Sequence, residues 1–148
     1  MSDPAVVFDA LAKTNKINNL SYKGARIREE RGRGLAPRDV AALSKLTSLG
    51  ILNIETCPKF DDISFKKLLP LQKLHQIKIK DCAITPRSIP TFLKFKNLEV
   101  VQMTTTGWSK ADIQQLKNKC VVVESATRSQ REEERRSNVE GSAGLLKY

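Results

Sequence analysis

Residues 46–57 read LTSLGILNIETC, and residues 71–82 read LQKLHQIKIKDC. Aligned, Leu46, Leu49, Leu52, Ile54 and Cys57 share the spacing of Leu71, Leu74, Ile77, Ile79 and Cys82. Residues 95–106 carry it again as Phe95, Leu98, Val101, Met103 and Thr106. The intervening halves match as well. Phe60, Ile84 and Trp108 open them, followed by Phe65–Leu68–Leu71, Ile89–Phe92–Phe95 and Ile113–Leu116–Lys119. The period is 24 residues, with one extra residue between Cys57 and Phe60. One unit of this size cannot bury its apolar row alone, whereas stacked units share a continuous core.

Each unit contains two physical periods. Leu52-x-Ile54, Ile77-x-Ile79 and Val101-x-Met103 alternate as a short strand with one buried face does. Triplets three apart, such as Phe65, Leu68 and Leu71, predict the inner face of a helix of about two to three turns. Asp61, Thr85 and Ser109 stand in register just ahead of these helices, where a side-chain oxygen can accept from the free N–H groups of the first turn. Pro86 then falls at the first helical position, where its missing N–H costs nothing.

The pattern resembles leucine-rich repeat proteins of the cysteine-containing class, whose units read LxxLxxLxLxxC followed by a helix. The match spans residues 35–124. It implies an α/β solenoid with parallel strands on a concave side, helices on a convex side, and about three full repeats between degenerate caps. Residues 1–34 form the first cap: Asp3-Pro4 opens a helix carrying Val6, Val7, Ala10 and Leu11, and a degenerate strand lies near Leu20–Ile27. Arg28, Glu30 and Arg33 occupy positions where the repeat should be apolar. Leu35, Val40, Leu43 and Leu46 supply the helical half of that unit, with Pro37 placed like Pro86. Cys120–Val123 predicts a last strand, and residues 125–148 a charged extension, ordered only when bound, with a brief helix over Arg131–Arg136 and an apolar Leu145-Leu146 near its end.

Composition narrows the function. The 148 residues carry 26 Lys+Arg against 16 Asp+Glu, a formal charge of +10, and are 40% hydrophobic, enough for a core. Aromatics are only 5%, too few for a base-stacking platform. Apolar runs of four residues or fewer fall far short of the ~20 that cross a bilayer. Asp3 and Asp9, with no basic leader, argue against an export signal or a mitochondrial presequence, and three cysteines without such a signal suggest a reducing compartment. The expected location is intracellular and cytoplasmic, with mitochondrial import by an internal signal as the alternative.

Catalytic chemistry finds little footing. His75 is the only histidine, which removes most acid–base and triad arrangements, and it reads as a surface residue. Cys57 and Cys82 fall on equivalent turns, about one strand spacing (~4.8 Å) apart, but a zinc site needs two further ligands. The resemblance implies instead a small buried group satisfying turn backbone, with Thr106 in that role in the third unit. Cys120 reads as packing in the end cap. Arg31-Gly32-Arg33-Gly34 lacks both phosphate-loop patterns, and Asp61-Asp62 suit a helix start rather than an acid–base pair. No catalytic residue, metal or cofactor is therefore assigned.

A binding surface is better specified. With Leu52 and Ile54 inward, Ile51, Asn53 and Glu55 face the concave side, as do Gln76, Lys78 and Lys80, then Val100, Gln102 and Thr104. Parallel stacking predicts rows Ile51–Gln76–Val100, Asn53–Lys78–Gln102 and Glu55–Lys80–Thr104. The opposite flank is basic, through Lys66, Lys67, Lys73, Lys94 and Lys96, with Lys110, Lys117 and Lys119 beyond. Arg26, Arg28, Arg31, Arg33 and Arg38 extend that field. The expected function is a non-catalytic protein-interaction module, a small subunit or adaptor of a larger assembly. One alternative is a basic adaptor on a ribonucleoprotein or other polyanion. Another is an accessory subunit of a mitochondrial membrane complex, because the segment CPKFDD before a helix distantly resembles the ATP synthase coupling factor B group.

Overall fold

The computed structural model describes residues 4–14, 16–24, 35–125 and 131–138. Five strands lie side by side in chain order in one parallel sheet: β1 (Asn19–Lys23), β2 (Ile51–Glu55), β3 (Gln76–Lys80), β4 (Val100–Thr104) and β5 (Val121–Ser125). Between and before them run α1 (Pro4–Thr14), α2 (Pro37–Leu43), α3 (Asp62–Lys66), α4 (Ile89–Lys94, led by a 3₁₀ turn at Pro86–Ser88) and α5 (Lys110–Lys117). A final helix, α6, covers 131–138. Every described strand thus pairs with the next one in sequence, a solenoid-like α/β arrangement.

Register follows the apolar alternation. Leu52 pairs with Ile77 and Ile77 with Val101, while Leu20 and Val122 continue the row at either end. Leu52, Ile77 and Val101 are all buried, within the same core as Phe60, Phe65, Phe92 and Phe95 from the helical half. Phe65 lies at the centre of these rings, 4.6 Å from Phe92 and 5.5 Å from Phe95 between centroids. One face of the sheet is therefore packed under the helices; among the described residues the other is open, with α6 at its strand ends, where a cleft is lined by Thr105, Ser125, Glu133 and Glu134.

The helical halves are tighter than the spacing of three suggests for an α-helix. α3 has five residues, so Leu68 and Leu71 lie beyond it. Leu68 N–H donates to the Phe65 carbonyl at 3.0 Å and Leu71 N–H to the Leu68 carbonyl at 2.9 Å. The same i→i+3 bonds join Leu43, Leu46 and Leu49, and join Phe92 to Phe95. Three residues per turn is the 3₁₀ period, which stacks side chains at every third position on one line. The LxxLxxL pattern records these turns, and Pro70, with no N–H, stops α3 from continuing.

Helix starts agree with the sequence. Asp61 accepts from Ser64 N–H at 2.9 Å, Thr85 from Arg87 N–H at 3.3 Å, and Ser109 from Asp112 N–H at 3.1 Å. Asp112 returns the bond to Ser109 N–H at 3.1 Å, completing a capping box.

The ends depart from the sequence reading in two respects. Leu20 pairs with Leu52 across 32 positions, against 25 between Leu52 and Ile77, so the first unit is long; of the strand expected near Leu20–Ile27, β1 covers Leu20–Lys23, and residues 25–27 lie outside the described residues. α1 does lie over this end, but through Phe8, Ala5, Leu11 and Ala12. Of the four residues expected to pack, only Leu11 does: Val6 and Val7 are 63% and 41% exposed, and Ala10 is exposed too. Phe8 meets Tyr22 edge-on at 6.2 Å, which fixes the helix rotation. Asp39, buried at the start of α2, accepts from Ala36 N–H at 2.8 Å and from Ala5 N–H at 3.2 Å, so one carboxylate holds two helix starts. At the other end, residues 131–138 are helical, as expected for 131–136, and Arg131 reaches Asp81 at 3.4 Å.

Candidate partner-binding face

Side chains alternate along a strand, so the residues between the buried ones must point away from the core. Ile51 pairs with Gln76 and Gln76 with Val100, giving the first row; Asn53, Lys78 and Gln102 give the second. Glu55 stands beside Lys80. All nine of these residues, Thr104 included, are half-buried on the open face. The outer strands widen the face by residues the sequence reading did not include. Asn19, Ser21 and Lys23 extend the rows on β1, and Val121, Val123 and Ser125 on β5. The run Val121-Val122-Val123 has no alternation of its own; only the register with β4, which sets Val122 beside Val101, turns Val121 and Val123 outward. Val121 and Val123 are 62% and 43% exposed.

The face is electrically divided. Glu55 and Lys78 form an ion pair at 3.0 Å with both side chains about a quarter exposed. The hydrogen bond from Lys78 holds the Glu55 carboxyl below its ordinary range, helped by the charges of Lys78, Lys80 and Lys23. Lys80 is pushed down, chiefly by burial and then by the like charge of Lys78. Three lysines thus converge where β1, β2 and β3 end, and Val100, Val121 and Val123 form an apolar corner on β4 and β5. Asn53 donates to Ser21 Oγ at 3.1 Å.

The turns beneath this face are held by the thiols. Cys57 Sγ lies 3.4 Å from the Glu55 carbonyl, and Cys82 Sγ lies 3.2 Å from the Lys80 carbonyl and 3.8 Å from that of Ile54. Cys82 is pushed far up by its bond to Cys57 and by burial, so it stays a thiol and a donor. Each cysteine follows a residue in the left-handed region, Thr56 (φ 54°) and Asp81 (φ 52°), where the chain turns sharply out of its strand. In the third unit the left-handed residue is Gly107 (φ 82°), and Thr106 is exposed. Thr106 therefore does not take the cysteine's buried place, because moving the left-handed residue from just before that position to just after it swings the side chain outward. Gly24 is required by close approach: a Cβ there would lie 2.1 Å from the Thr56 carbonyl oxygen.

The remaining candidates separate in space. His75 is exposed, against the Cα of Gly50. Cys120 is buried with Sγ 3.4 Å from the Leu116 carbonyl, and burial raises its pKa. Asp61 caps its own helix, while Asp62 reaches the next unit, accepting from Thr85 N–H at 2.8 Å and Ser88 Oγ at 2.6 Å. Among the described residues, no three His, Cys, Asp or Glu side chains come together to hold a metal ion, and no helix is long and apolar enough to cross a membrane. Lys66, Lys67, Lys73, Lys94 and Lys96 are all exposed away from the open face, Lys66 and Lys94 in the last turns of α3 and α4, where positive charge suits the helix dipole. Arg26, Arg28, Arg31 and Arg33 lie outside the described residues, as does the Leu145-Leu146 terminus.

Compared with protein-family models, curated proteins and solved structures, the chain matches none. The class is defined by the geometry itself: a stacked α/β repeat with a single parallel sheet, covered by helices on one side and open on the other.

Proposed function

We propose that this is a non-catalytic leucine-rich repeat module, a small subunit or adaptor of a larger assembly, that holds a protein partner on the open face of its sheet. The observation that carries the reading is the divided face itself: half-exposed valines on β4 and β5 at one side, and the lysines of β1 and β3 at the other. Interfaces bury apolar groups together with polar ones, and an isolated solvent-facing sheet has no need of an exposed apolar corner. The non-catalytic reading is supported by the engagement of the thiols with turn carbonyls and by an exposed histidine remote from them. A second reading, an adaptor on a polyanion, draws on the exposed lysines of the helical side.

A photo-crosslinking side chain at Gln102 and, separately, at Lys67 tests both in the native cell, with and without nuclease. The expected outcome is a defined protein adduct from Gln102 that survives nuclease and high salt. Adducts only from Lys67, lost with nuclease, would select the polyanion instead.

A further inference from the structure

Resting on that reading, we infer the chemistry of the partner: an extended segment of a protein carrying carboxylates at one end and aliphatic side chains at the other, laid across the strands. Rows of open-face side chains run perpendicular to the strands, so a segment that engages a row crosses the sheet. Lys23, Lys78 and Lys80 meet around a single carboxylate, Glu55, which Lys78 already occupies at 3.0 Å. Among the described residues, Lys23 and Lys80 are thereby left without an ion-paired carboxylate at this end of the face. A partner carboxylate would relieve the repulsion between Lys78 and Lys80 that the fold otherwise tolerates.

Geometry then sets the spacing. Val121 and Val123 on β5 lie two strands from Lys80 on β3 and four from Lys23 on β1. The valines also sit two and four residues back along the strands from the row of Lys23 and Lys80, so at ~4.8 Å per strand and ~3.4 Å per residue the diagonal is roughly 12–24 Å, or about four to seven residues of extended chain. Charge complementarity and the apolar corner together favour such a peptide. A nucleic acid would place phosphates near the lysines but nothing over Val121, which is 62% exposed, and the only half-buried aromatic on β1, Tyr22, faces the core. An anionic bilayer would need a broad apolar surface to bury, and here, among the described residues, the exposed aliphatic side chains of the face are confined to Val121 and Val123, beside Val100 at one corner.

The test uses the full chain and four probes: a dye-labelled peptide of two leucines, three glycines and four glutamates; the same peptide with glutamines; poly-uridine RNA; and phosphatidylserine vesicles. Anisotropy gives affinity for the first three, flotation reports the vesicles, and amide shifts in NMR locate the site of each soluble probe. The glutamate peptide is expected to shift β1–β5 amides and to bind about tenfold more tightly than the glutamine peptide. K23Q/K80Q, which leaves the Lys78–Glu55 pair intact, should remove about tenfold of that affinity, two lysine contacts of ordinary strength, while K66Q/K67Q changes it less than twofold. Shifts confined to the helical side, no effect of K23Q/K80Q, or stronger K23Q/K80Q-dependent binding of RNA or vesicles would overturn the inference. If the Gln102 crosslink still yields a protein while the peptide arms fail, the open face holds a partner of different chemistry, and only the inference falls.

Discussion

Ile77 and Lys78 are neighbours on β3, yet Ile77 is fully buried between Leu52 and Val101, whereas Lys78 stands half-exposed between Asn53 and Gln102. The inward row from Leu20 to Val122 is apolar along its whole length and varies only in size. The open face changes character from one strand to the next, cationic at β1 and β3 and aliphatic at β4 and β5. Packing against helices admits one kind of side chain; contact with water admits many. The contrast separates residues that hold the stack together from residues free to meet a partner.

The sharpest way to break that contrast is to alter the two faces separately. Phe65→Ala, at the centre of the ring cluster, should cost roughly 3–5 kcal/mol. Lys78→Ala should cost less than about 0.5 kcal/mol. Urea midpoints with unchanged m-values check both, and equal losses would abolish the distinction. Gly24→Ala probes the long first unit: its methyl group would meet the Thr56 carbonyl, so a loss of about 1–3 kcal/mol is expected. A neutral result would mean that β1 is not held against the turn as described. Ser109→Ala removes the third cap and should cost about 1 kcal/mol, measured as a fall in thermal midpoint that Ser109→Asp restores.

Acidification should give the smallest effect and should bear on both faces. Asp61 is held below its ordinary pKa by the Ser64 N–H, and Glu55 by Lys78. Their contribution to stability is therefore complete above the unfolded carboxyl range, near pH 4, and fades as the pH falls through their lower folded values. Asp61→Asn and Glu55→Gln should each flatten the decline of the urea midpoint between pH 5 and about pH 2.5. If neither changes its slope, the Ser64 N–H and Lys78 do not hold these carboxylates in solution.

The middle of the molecule was legible because each of its signals is local and repeated. Leu46 through Met103 carry strand alternation and turn spacing within a few residues of each other, and Asp61, Thr85 and Ser109 announce the helix starts. The same logic placed the open-face residues of β2, β3 and β4 in their rows. It stopped short at the ends, where neighbours in space replace neighbours in sequence. The rotation of α1 depends on Phe8 meeting Tyr22, and the burial of Asp39 depends on Ala5 arriving from 34 positions away. Helix length was also misjudged, since apolar spacing of three suits an α-helical stripe and a run of 3₁₀ turns alike.

By itself, then, the sequence determined the stacking of the units, the inward row and the identity of the outward one, because a 24-residue repeat leaves a chain only one way to bury its leucines. The tertiary structure alone decided how wide the open face is and where its charge collects. Those properties arise when β1 and β5, whose residues read as caps, pair with their neighbours and bring Lys23 toward Glu55 and Val121 beside Val100. Distances of that kind are set by the closing of the sheet, across separations that no local pattern spans.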